Sequence, residues 1–301
     1  MGTNCAGIVL YNPDLVRLEE NINAIIDQVN QLILVDNSSS NFNDIEERYA
    51  SIEKIKIISN SNNYGIAKAL NQVCEYAINQ NHEWALLLDQ DSIVAPNIIS
   101  EYQKRISLKE VALLTPYIID INKMQLKEYL SLNLPAMSDV KWAITSGSFI
   151  KLSVWNRVNA FDEDFFIDGV DIDYSIRLNI CGYKQFRINT TYLLQEVGRA
   201  EPTWLKRPHK DNSGNWSFKR YYRTNHSIFR QYYLARNNII IARKYRLYNP
   251  IFIGLLKAFI ISLPKPIFEK DKLKVLKAII KGFYDGFKHD VKKYKKLISD
   301  R

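Results

Sequence analysis

The chain has 301 residues, of which 47% are hydrophobic and 24% charged, so it can bury a full core and is not expected to be disordered. Its three cysteines, Cys5, Cys74 and Cys181, are far apart and form no C-x-x-C pair. This argues against a disulfide framework or a zinc site and fits a reducing cytosol. The first nine residues have no basic region before the apolar one, so no signal peptide is expected.

The net charge of +9 is unevenly placed along the chain. From Arg243 to the end there are 16 Lys and Arg residues and 5 Asp and Glu residues, a balance of +11, which leaves −2 for the rest. A basic tail beside an almost neutral body argues against nucleic acid as the main ligand and favours an anionic membrane surface.

Strand and helix patterns alternate over the first third of the chain. Short apolar runs predict buried strands at residues 4–10, 31–36, 54–59 and 84–89. A helical pattern capped by Asn12 or Asp14 follows the first strand, and another starts near Gly65. This alternation predicts an α/β fold, a Rossmann-like, mostly parallel sheet flanked by helices.

Beyond Pro96 the pattern is less regular. It predicts a helix to about residue 106, strands at residues 111–115 and 142–150, and a long helix over residues 227–246. Residues 116–140 are expected to be irregular. Residues 199–225 are expected to form a mobile segment near the site, because long loops often act as lids.

Aromatic residues are abundant, with 18 Tyr, 13 Phe and 5 Trp. Trp142, Trp204 and Trp216 could stack on sugars. Packing in the core is the stronger expectation for these three side chains.

The motif around which the chain is organised is Asp89-Gln90-Asp91, which ends the apolar run from Trp84. Burying two unpaired carboxylates in a sheet is costly, so they are expected at its open carboxyl edge, where α/β sheets bind ligands. Two carboxylates there suit Mg²⁺ or Mn²⁺ shared with phosphate oxygens. The alternative is an acidic turn in which Asp91 or Ser92 caps the next helix.

Acidic residues also follow other predicted strands. Asp36 ends the second strand, and an acidic stretch from Asp168 to Asp173 lies further along the chain. One acidic turn is common, but three at corresponding ends of one sheet are hard to explain by folding alone.

In this order, the motifs resemble those of family 2 glycosyltransferases. The matching segments are Tyr11-Asn12-Pro13, Val35-Asp36-Asn37-Ser38-Ser39, residues 62–67, Asp89-Gln90-Asp91 and residues 161–173. The Asp-Gln-Asp form, the Asn-Asn-x-Gly-Ile-Ala segment and residues 232–237 look most like the bacterial rhamnosyltransferase branch. The resemblance covers roughly residues 4–245. It implies a GT-A fold and an inverting, nucleotide-sugar-dependent enzyme.

The resemblance also implies roles for individual residues. Tyr11 and Asp36 would hold the base and ribose, since a carboxylate accepts hydrogen bonds from a pyrimidine N–H or sugar hydroxyls. The rest of the nucleotide-sugar site would comprise Asn63, Gly65, Lys68, Asp89 and Arg236. Asp91 would bind the metal, which offsets the charge that builds on the leaving diphosphate.

Structural alternatives stay open for several of these residues. Asp36 could be a turn or capping residue, and Gly65 could simply begin a helix. Lys68 could be a solvated charge. Arg230 and Arg236 could be charges on the flank of their helix rather than diphosphate ligands.

In this family the base that deprotonates the acceptor is the Asp of a Glu-Asp pair, and Asp171 occupies that place. The preceding residue is Val170 rather than Glu, so Asp168 or Asp173 could share or replace the role. Alternatively, Asp171 and Asp173 would only stabilise the N-terminus of the helix that they open.

A second departure is Gln195, where relatives often carry a His that completes the metal site. Gln is a weaker, neutral ligand. Metal binding is then looser, or His209 or His226 contributes from the predicted mobile segment. A loop histidine is more often simply solvated.

The C-terminal tail, residues 246–301, is predicted to be helical and to lie on a membrane. Its apolar run from Ile251 to Leu263 has 13 residues, too few to span a bilayer, and prolines follow it. Residues 271–298 mix apolar side chains and lysines in the pattern of an interfacial helix. The alternative is a helical hairpin packed on the body or on a second subunit, as in a homodimer.

These patterns predict a GT-A domain over residues 1–245, with a nucleotide-sugar half to about residue 115 and an acceptor half after it, and the tail beyond. The predicted reaction transfers L-rhamnose from dTDP-L-rhamnose to a lipid-linked saccharide for cell-surface polysaccharide, at the cytoplasmic face of the plasma membrane. The alternatives are a UDP-hexose-dependent transferase of the same fold and a non-catalytic nucleotide-sugar-binding protein.

Overall fold

The computed structural model describes residues 3–196, 201–210 and 216–291. The chain divides into two compact units, residues 1–196 and 197–301. The predicted domain boundary at residues 245/246 was placed where the chain becomes basic and differs from this division. It stays a prediction.

The first unit contains one sheet and the helices that flank it. Its strands are β1 (Asn4–Leu10), β2 (Gln31–Asp36), β3 (Ile55–Ser59), β4 (Trp84–Asp89), β5 (Ile93–Val94), β6 (Val111–Asp120), β7 (Met137–Asp139), β8 (Ser148–Lys151) and β9 (Lys184–Gln195). Its helices are α1 (Leu15–Ile25), α2 (Phe42–Tyr49), α3 (Ile66–Asn79), α4 (Ile98–Gln103), α5 (Leu126–Leu130), α6 (Leu152–Arg157) and α7 (Val170–Ile180), with a 3₁₀ turn at Ile26–Gln28.

The strand order is β3-β2-β1-β4-β8-β6-β9-β5, and β7 also pairs with β9. Strands β3, β2, β1 and β4 are parallel, β8 is antiparallel to both of its neighbours, and β6 and β9 are again parallel. The carboxyl ends of β1 to β4, β6 and β9 therefore point to the same edge of the sheet. The predicted α/β sheet is confirmed.

Burial on both faces explains the unbroken apolar runs of the central strands. Every residue of β1 is buried, and helix α3 lies directly on it. Gly7 permits this approach, because a Cβ there would come within 2.2 Å of Val73 Cγ1. Each large side chain in this core contributes about 1.5–3 kcal/mol by leaving water.

Two details of the first crossover follow from hydrogen bonding. Asp14 is the cap of α1, because its side chain accepts from the amides of Val16 and Arg17. Asn12 has a positive φ of 48°, and its side-chain oxygen accepts a 2.8 Å bond from the Ser40 amide. Asn12 therefore ties the loops after β1 and β2 together.

The less regular middle of the chain was predicted less well than the first third. Residues 116–140 are not irregular throughout, because β6 continues to Asp120 beside β9 and α5 and β7 follow. The strand predicted at residues 142–150 begins only at Ser148. Gly147, with φ of 81°, turns the chain before it, and a Cβ there would lie 2.8 Å from Pro116 Cγ.

The second unit contains a hairpin and four helices within its described residues. They are β10 (Glu201–Lys210), β11 (Trp216–Arg223), α8 (Ile228–Lys244), α9 (Ile251–Ser262), α10 (Lys265–Phe268) and α11 (Lys272–Lys288). The predicted mobile segment is thus wrong for residues 201–210 and 216–223, which pair as antiparallel strands. The long helix and the helical tail are confirmed up to residue 288, and residues 292–301 lie outside the described chain.

Glycines allow α11 to pack closely against α8. A Cβ on Gly282 would lie 2.5 Å from the Tyr232 carbonyl oxygen, and one on Gly286 would lie 2.7 Å from that of Arg236. Helix α9 is different, since only Ala258 and Ser262 are buried in it. Most of its apolar surface is therefore open to solvent.

The apolar segment of the tail extends beyond the predicted run. Residues 251–268 have a mean hydropathy of 1.8, and 17% of this 18-residue window is buried. By length and composition alone it could cross a membrane, whereas the shorter run ending at Leu263 was predicted to be too short.

Candidate active site

The carboxyl edge of the sheet brings several predicted site residues together. Tyr11 follows β1, Asp36 ends β2, Asp89 ends β4 and Gln195 ends β9. Because β1 lies between β2 and β4, the loops after these three strands are adjacent. Open α/β sheets bind their ligands at this edge.

The Asp89-Gln90-Asp91 turn is held in place by hydrogen bonds that involve two buried serines. The Asp89 amide donates to Ser146 Oγ at 3.1 Å, and Ser146 Oγ lies 2.8 Å from Ser92 Oγ. Asn21, on α1, donates to the Asp89 carbonyl at 2.7 Å. Ser92 is therefore used inside the turn, and the alternative in which it caps the next helix is wrong, since Asn97 precedes α4.

Gln195 lies beside the acidic turn. Its Nε2 donates to Asp89 Oδ2 at 3.1 Å, because the pairing of Ile93 with Leu194 brings the end of β9 next to this turn. Its Oε1 is buried and has no hydrogen-bond partner among the described residues. The neighbouring strand β6 ends opposite it, at Asp120, which forms an ion pair with Lys123.

Asp91 is partly buried at the same place. Burial raises the pKa of the Asp91 carboxyl, Arg17 acts to lower it and Glu196 acts to raise it. A cation near this carboxylate would favour its ionised form.

The oxygen donors of this turn fit a divalent ion that is shared with a ligand. The described residues contain no cluster of three or more His, Cys, Asp or Glu side chains that could enclose a metal. Mg²⁺ and Mn²⁺, however, commonly take one or two carboxylates together with substrate phosphates. Asp91, Asp89 and the unpartnered Gln195 carbonyl oxygen provide such donors.

Gln90, the middle residue of the turn, bonds to the backbone of Tyr11 in both directions. Tyr11 N donates to Gln90 Oε1 at 2.8 Å, and Gln90 Nε2 donates to the Tyr11 carbonyl at 3.4 Å. The Tyr11 side chain is 50% exposed. No role was predicted for Gln90, because its hydrogen bonds join loops that are 79 residues apart in the sequence.

Asp36 is fully buried, and only one of its carboxylate oxygens has a hydrogen-bond partner among the described residues. Oδ2 accepts from the Ser39 amide at 2.9 Å, whereas Oδ1 has no partner among the described residues. Asp36 therefore does stabilise the turn after β2, as the structural alternative predicted. The unused acceptor is compatible with an additional ligand contact.

Asn63 and Gly65 organise the start of α3. Asn63 Oδ1 accepts from the Gly65 amide at 2.9 Å, and Gly65 has φ of 86° at the N-cap. A Cβ on Gly65 would lie 2.5 Å from the carbonyl oxygen of Phe166, which accepts from the Ile66 amide at 2.8 Å. Gly65 thus begins the helix and also contacts the acidic segment of residues 161–168.

Two further side chains of α3 hold this acidic segment. Lys68 forms a 3.2 Å ion pair with Glu163, so it is not simply solvated. Asn71, which is 3% exposed, donates to the Phe161 carbonyl and accepts from the Phe161 amide, both at 2.9 Å. The role of Asn71 was not predicted from the sequence. The feature that could have indicated it is a polar amide side chain on the apolar face of a helix.

The two carboxylates in the first turn of α7 differ in their surroundings. Asp171 is partly exposed, and its Oδ1 accepts from the Ile172 amide at 2.8 Å. Asp173 is fully buried and forms a 2.9 Å ion pair with Arg177, which also donates to the Ala160 carbonyl at 2.6 Å. Asp173 is therefore held in an internal ion pair and Asp171 is the more accessible carboxylate, while the choice of base stays a prediction.

Arg236 and the two histidines belong to the second unit. Arg236 donates to Asn237 Oδ1 at 2.9 Å and lies over the Tyr233 ring, with Cζ 5.8 Å from its centroid. His226 lies just before α8, and the side chain of His209 falls outside the described residues. The diphosphate role of Arg236 and the metal role of either histidine stay predictions.

The three tryptophans are not core residues. Trp142, Trp204 and Trp216 are 56%, 78% and 72% exposed. The expectation that they pack in the core is wrong.

The sheet has the architecture of the GT-A fold. The structure is similar to the crystal structure of S. aureus TarS 1–349 in complex with UDP-GlcNAc, with a TM-score of 0.62 and 13% identity over 98% of this chain and 84% of that one. It is also similar to GalNAc-T7 with UDP, GalNAc and Mn²⁺, with a TM-score of 0.55 and 14% identity over 65% of this chain but only 44% of that one. The predicted fold is confirmed.

The sequence model of glycosyl transferase family 2 matches residues 5–167, more than half of the chain, and the protein belongs to this family. The dTDP-rhamnosyl transferase RfbF of Shigella flexneri is 26% identical over 300 residues, 94% of this chain and 95% of that protein. The rhamnosyltransferase WbbL of Escherichia coli K12 is 25% identical over 263 residues, 78% of this chain and 93% of that protein. The predicted family and the enzyme class of glycosyltransferase are confirmed.

Proposed function

We propose that this enzyme is an inverting rhamnosyltransferase that uses dTDP-L-rhamnose. The observation that carries this donor is the full-length similarity to a protein named as a dTDP-rhamnosyl transferase, together with a second relative named as a rhamnosyltransferase. The acceptor is a lipid-linked saccharide in the synthesis of a cell-surface polysaccharide.

Asp91, supported by Asp89 and the carbonyl oxygen of Gln195, would hold a Mg²⁺ or Mn²⁺ ion. The ion would supply positive charge to the diphosphate leaving group. Support comes from the oxygen donors gathered at the end of β4 and from the buried Gln195 oxygen that has no partner in the described chain.

Asp171 would be the base that takes the proton of the acceptor hydroxyl. Inversion needs this group on the face of the sugar opposite the leaving diphosphate. Its partly exposed position and the burial of Asp173 in an ion pair support Asp171 over its neighbour. The Asp173–Arg177 pair would act only by fixing the first turns of α7.

The nucleotide would lie along the carboxyl ends of β1 to β3. Tyr11 would contact the base, and the unused Asp36 Oδ1 would accept from a pyrimidine N–H once the adjacent turn admits the ligand. Asn63, Gly65 and Lys68 would shape the same pocket by holding the acidic segment in place. Arg236 would contact the diphosphate with its guanidinium group.

The second unit would place the enzyme on the inner face of the plasma membrane. Helix α11 buries one apolar stripe but exposes another, comprising Leu273, Leu276, Ile280, Tyr284 and Phe287. Lysines lie beside this exposed stripe, and α9 exposes most of its apolar surface. Such a basic, apolar surface is typical of proteins that lie in the membrane interface.

Turnover of purified dTDP-L-rhamnose, followed as dTDP release with and without Mn²⁺, tests this function. The wild type is expected to release dTDP with Mn²⁺, whereas Asp91→Ala and Asp171→Asn are expected to lose this activity. Turnover of UDP-hexoses in place of dTDP-L-rhamnose would overturn the donor. If no nucleotide sugar is turned over, even when a cell extract that contains acceptors is added, a non-catalytic binding protein would be favoured.

A further inference from the structure

The hairpin of β10 and β11 exposes an unusual number of large aromatic side chains. Trp204, Trp216 and Phe218 are 78%, 72% and 73% exposed, and Tyr222 is 43% exposed. Exposed aromatic residues are normal when they are single, but a group of them on one small element marks an interaction surface.

Strand geometry places most of these rings on one face. Trp216, Phe218 and Tyr222 occupy alternate positions of β11, and alternate residues of a strand point to the same side. Pro208 and Pro202 stand opposite Phe218 and Tyr222 in the register. One face of the hairpin therefore carries these rings and prolines together with two basic residues, Arg220 between Phe218 and Tyr222 and Lys206 opposite it.

The hairpin also places like charges opposite each other. Lys206 stands opposite Arg220 in the register of the two strands. Lys206, Lys219 and Arg220 are exposed. Like charges at directly opposed positions destabilise a strand pair, and a two-stranded sheet is marginal by itself. An anionic partner would remove this repulsion.

The hairpin is continuous with the apolar segment of the same unit. The rings of Trp204 and Tyr221 pack against Phe268, with centroids 5.4 and 5.3 Å apart. Phe268 ends the apolar window of residues 251–268. The hairpin backbone is further joined to the tail by the Thr224 amide, which donates to Glu269 at 3.2 Å.

From these contacts we infer that the β10–β11 hairpin is a second membrane-contact element, which places its aromatic face among the headgroups of an anionic lipid surface. This inference rests on the proposed membrane location and extends it from the helical tail to the hairpin. Trp and Tyr favour the boundary between water and lipid, and basic residues beside them are attracted to anionic lipids. A neutral saccharide would fit the rings but would leave the opposed basic residues without a counter-charge.

Binding to sedimenting vesicles of phosphatidylcholine with 30% phosphatidylglycerol (about one lipid in three, a typical anionic surface) tests the inference on the full chain. The double variant Trp216→Ser/Phe218→Ser is expected to lower the partition coefficient by about tenfold or more, because two exposed rings no longer enter the interface. Leu130→Ser is the matched control, since Leu130 is 70% exposed in the first unit and lies outside the surface in question.

Lys206→Glu separates membrane binding from folding. It places opposite charges at the position where Lys206 faces Arg220, so thermal stability is expected to hold or rise. Binding to the anionic vesicles is nevertheless expected to fall by roughly fivefold or more, and to change little on pure phosphatidylcholine.

The outcomes distinguish this inference from the proposed function. If the wild type binds and the hairpin variants bind equally well, the hairpin inference is wrong while the helical tail keeps its membrane role. If the wild type binds neither vesicle, both the membrane location and the hairpin inference fail, whereas dTDP-L-rhamnose turnover still tests the reaction. Hairpin variants that keep vesicle binding but lose binding to a soluble acceptor glycan would assign the rings to the saccharide instead.

Discussion

Gln195 Nε2 donates a 3.1 Å hydrogen bond to Asp89 Oδ2, so the last residue of β9 is fixed against the first residue of the acidic turn. The amide can hold the carboxylate, but its own carbonyl oxygen is left without a partner among the described residues. A neutral amide in this position is a weaker metal ligand than an imidazole nitrogen would be.

Replacing Gln195 by histidine is expected to tighten Mn²⁺ binding by roughly tenfold, because an imidazole next to two carboxylates adds a nitrogen ligand. Isothermal titration of Mn²⁺ in the presence of dTDP measures this. Gln195→Leu is the control and is expected to weaken binding. Equal Mn²⁺ affinity in all three proteins would show that Gln195 lies outside the metal site.

Replacement by asparagine is expected to lower stability at Asp173 and to abolish activity at Asp171. Asp173→Asn leaves the buried Arg177 without a counter-charge, and loss of about 3–5 kcal/mol in the free energy of unfolding is expected. Asp171→Asn is expected to change stability by less than about 1 kcal/mol while abolishing transfer. Urea unfolding and donor turnover together check the pair, and an active Asp171→Asn enzyme would remove Asp171 as the base.

Gly65→Ala is expected to destabilise the fold by roughly 2–4 kcal/mol, since it combines an unfavourable positive φ with a backbone clash at Phe166. Gly182→Ala is the matched control. Gly182 also has a positive φ, of 74°, but nothing lies within 4 Å of its Cβ position, so roughly 1–2 kcal/mol is expected. Equal losses in the two variants would show that the contact between α3 and the acidic segment has no energetic role.

Gln90→Met removes both hydrogen bonds to the Tyr11 backbone while keeping the volume of the side chain. Because each bond contributes about 0.5–1.5 kcal/mol, a small loss of stability is expected. The larger effect should be on dTDP affinity, which we expect to fall several-fold as Tyr11 loses its fixed position. Fluorescence titration with dTDP measures this, and unchanged affinity would restrict Gln90 to a structural role.

Asp91→Asn is expected to stabilise the metal-free protein slightly at neutral pH. Burial raises the pKa of Asp91, so the ionised carboxylate opposes folding above that pKa, and this penalty disappears as pH falls below the carboxyl's ordinary value. Solvent screening limits the gain to below about 1 kcal/mol. Thermal unfolding at pH 7 and pH 4 checks the sign, and a variant less stable than wild type at pH 7 would contradict it.

Local patterns predicted the first third of the chain well, because β1, β2 and β4 are buried on both faces and their apolar runs are continuous. The acidic turn and the family resemblance then predicted a site at the carboxyl edge of the sheet, where the structure brings the loops after β1, β2 and β4 together. What the sequence could not provide were the long-range hydrogen bonds, such as those of Asn71 with Phe161 and Gln90 with Tyr11. Nothing in the local pattern indicates such partners.

Other errors came from applying average tendencies to particular segments. The β10–β11 hairpin was predicted to be a mobile loop because its residues are polar and aromatic, but cross-strand pairing orders it. Core packing was expected for Trp204 and Trp216 because aromatic rings are usually buried, yet both are exposed. Whether an aromatic ring is buried depends on how the strand or helix that carries it packs in the tertiary structure.

The central claim is that the carboxyl edge of this sheet binds a dTDP-sugar through a metal at Asp91. Calorimetric titration with dTDP, UDP and GDP, each with and without Mn²⁺, tests it most directly. We expect Mn²⁺-dependent binding of dTDP in preference to the other two nucleotides, and its loss in Asp91→Ala. Preference for UDP would contradict the assigned donor, and failure of all three nucleotides to bind would contradict the site itself.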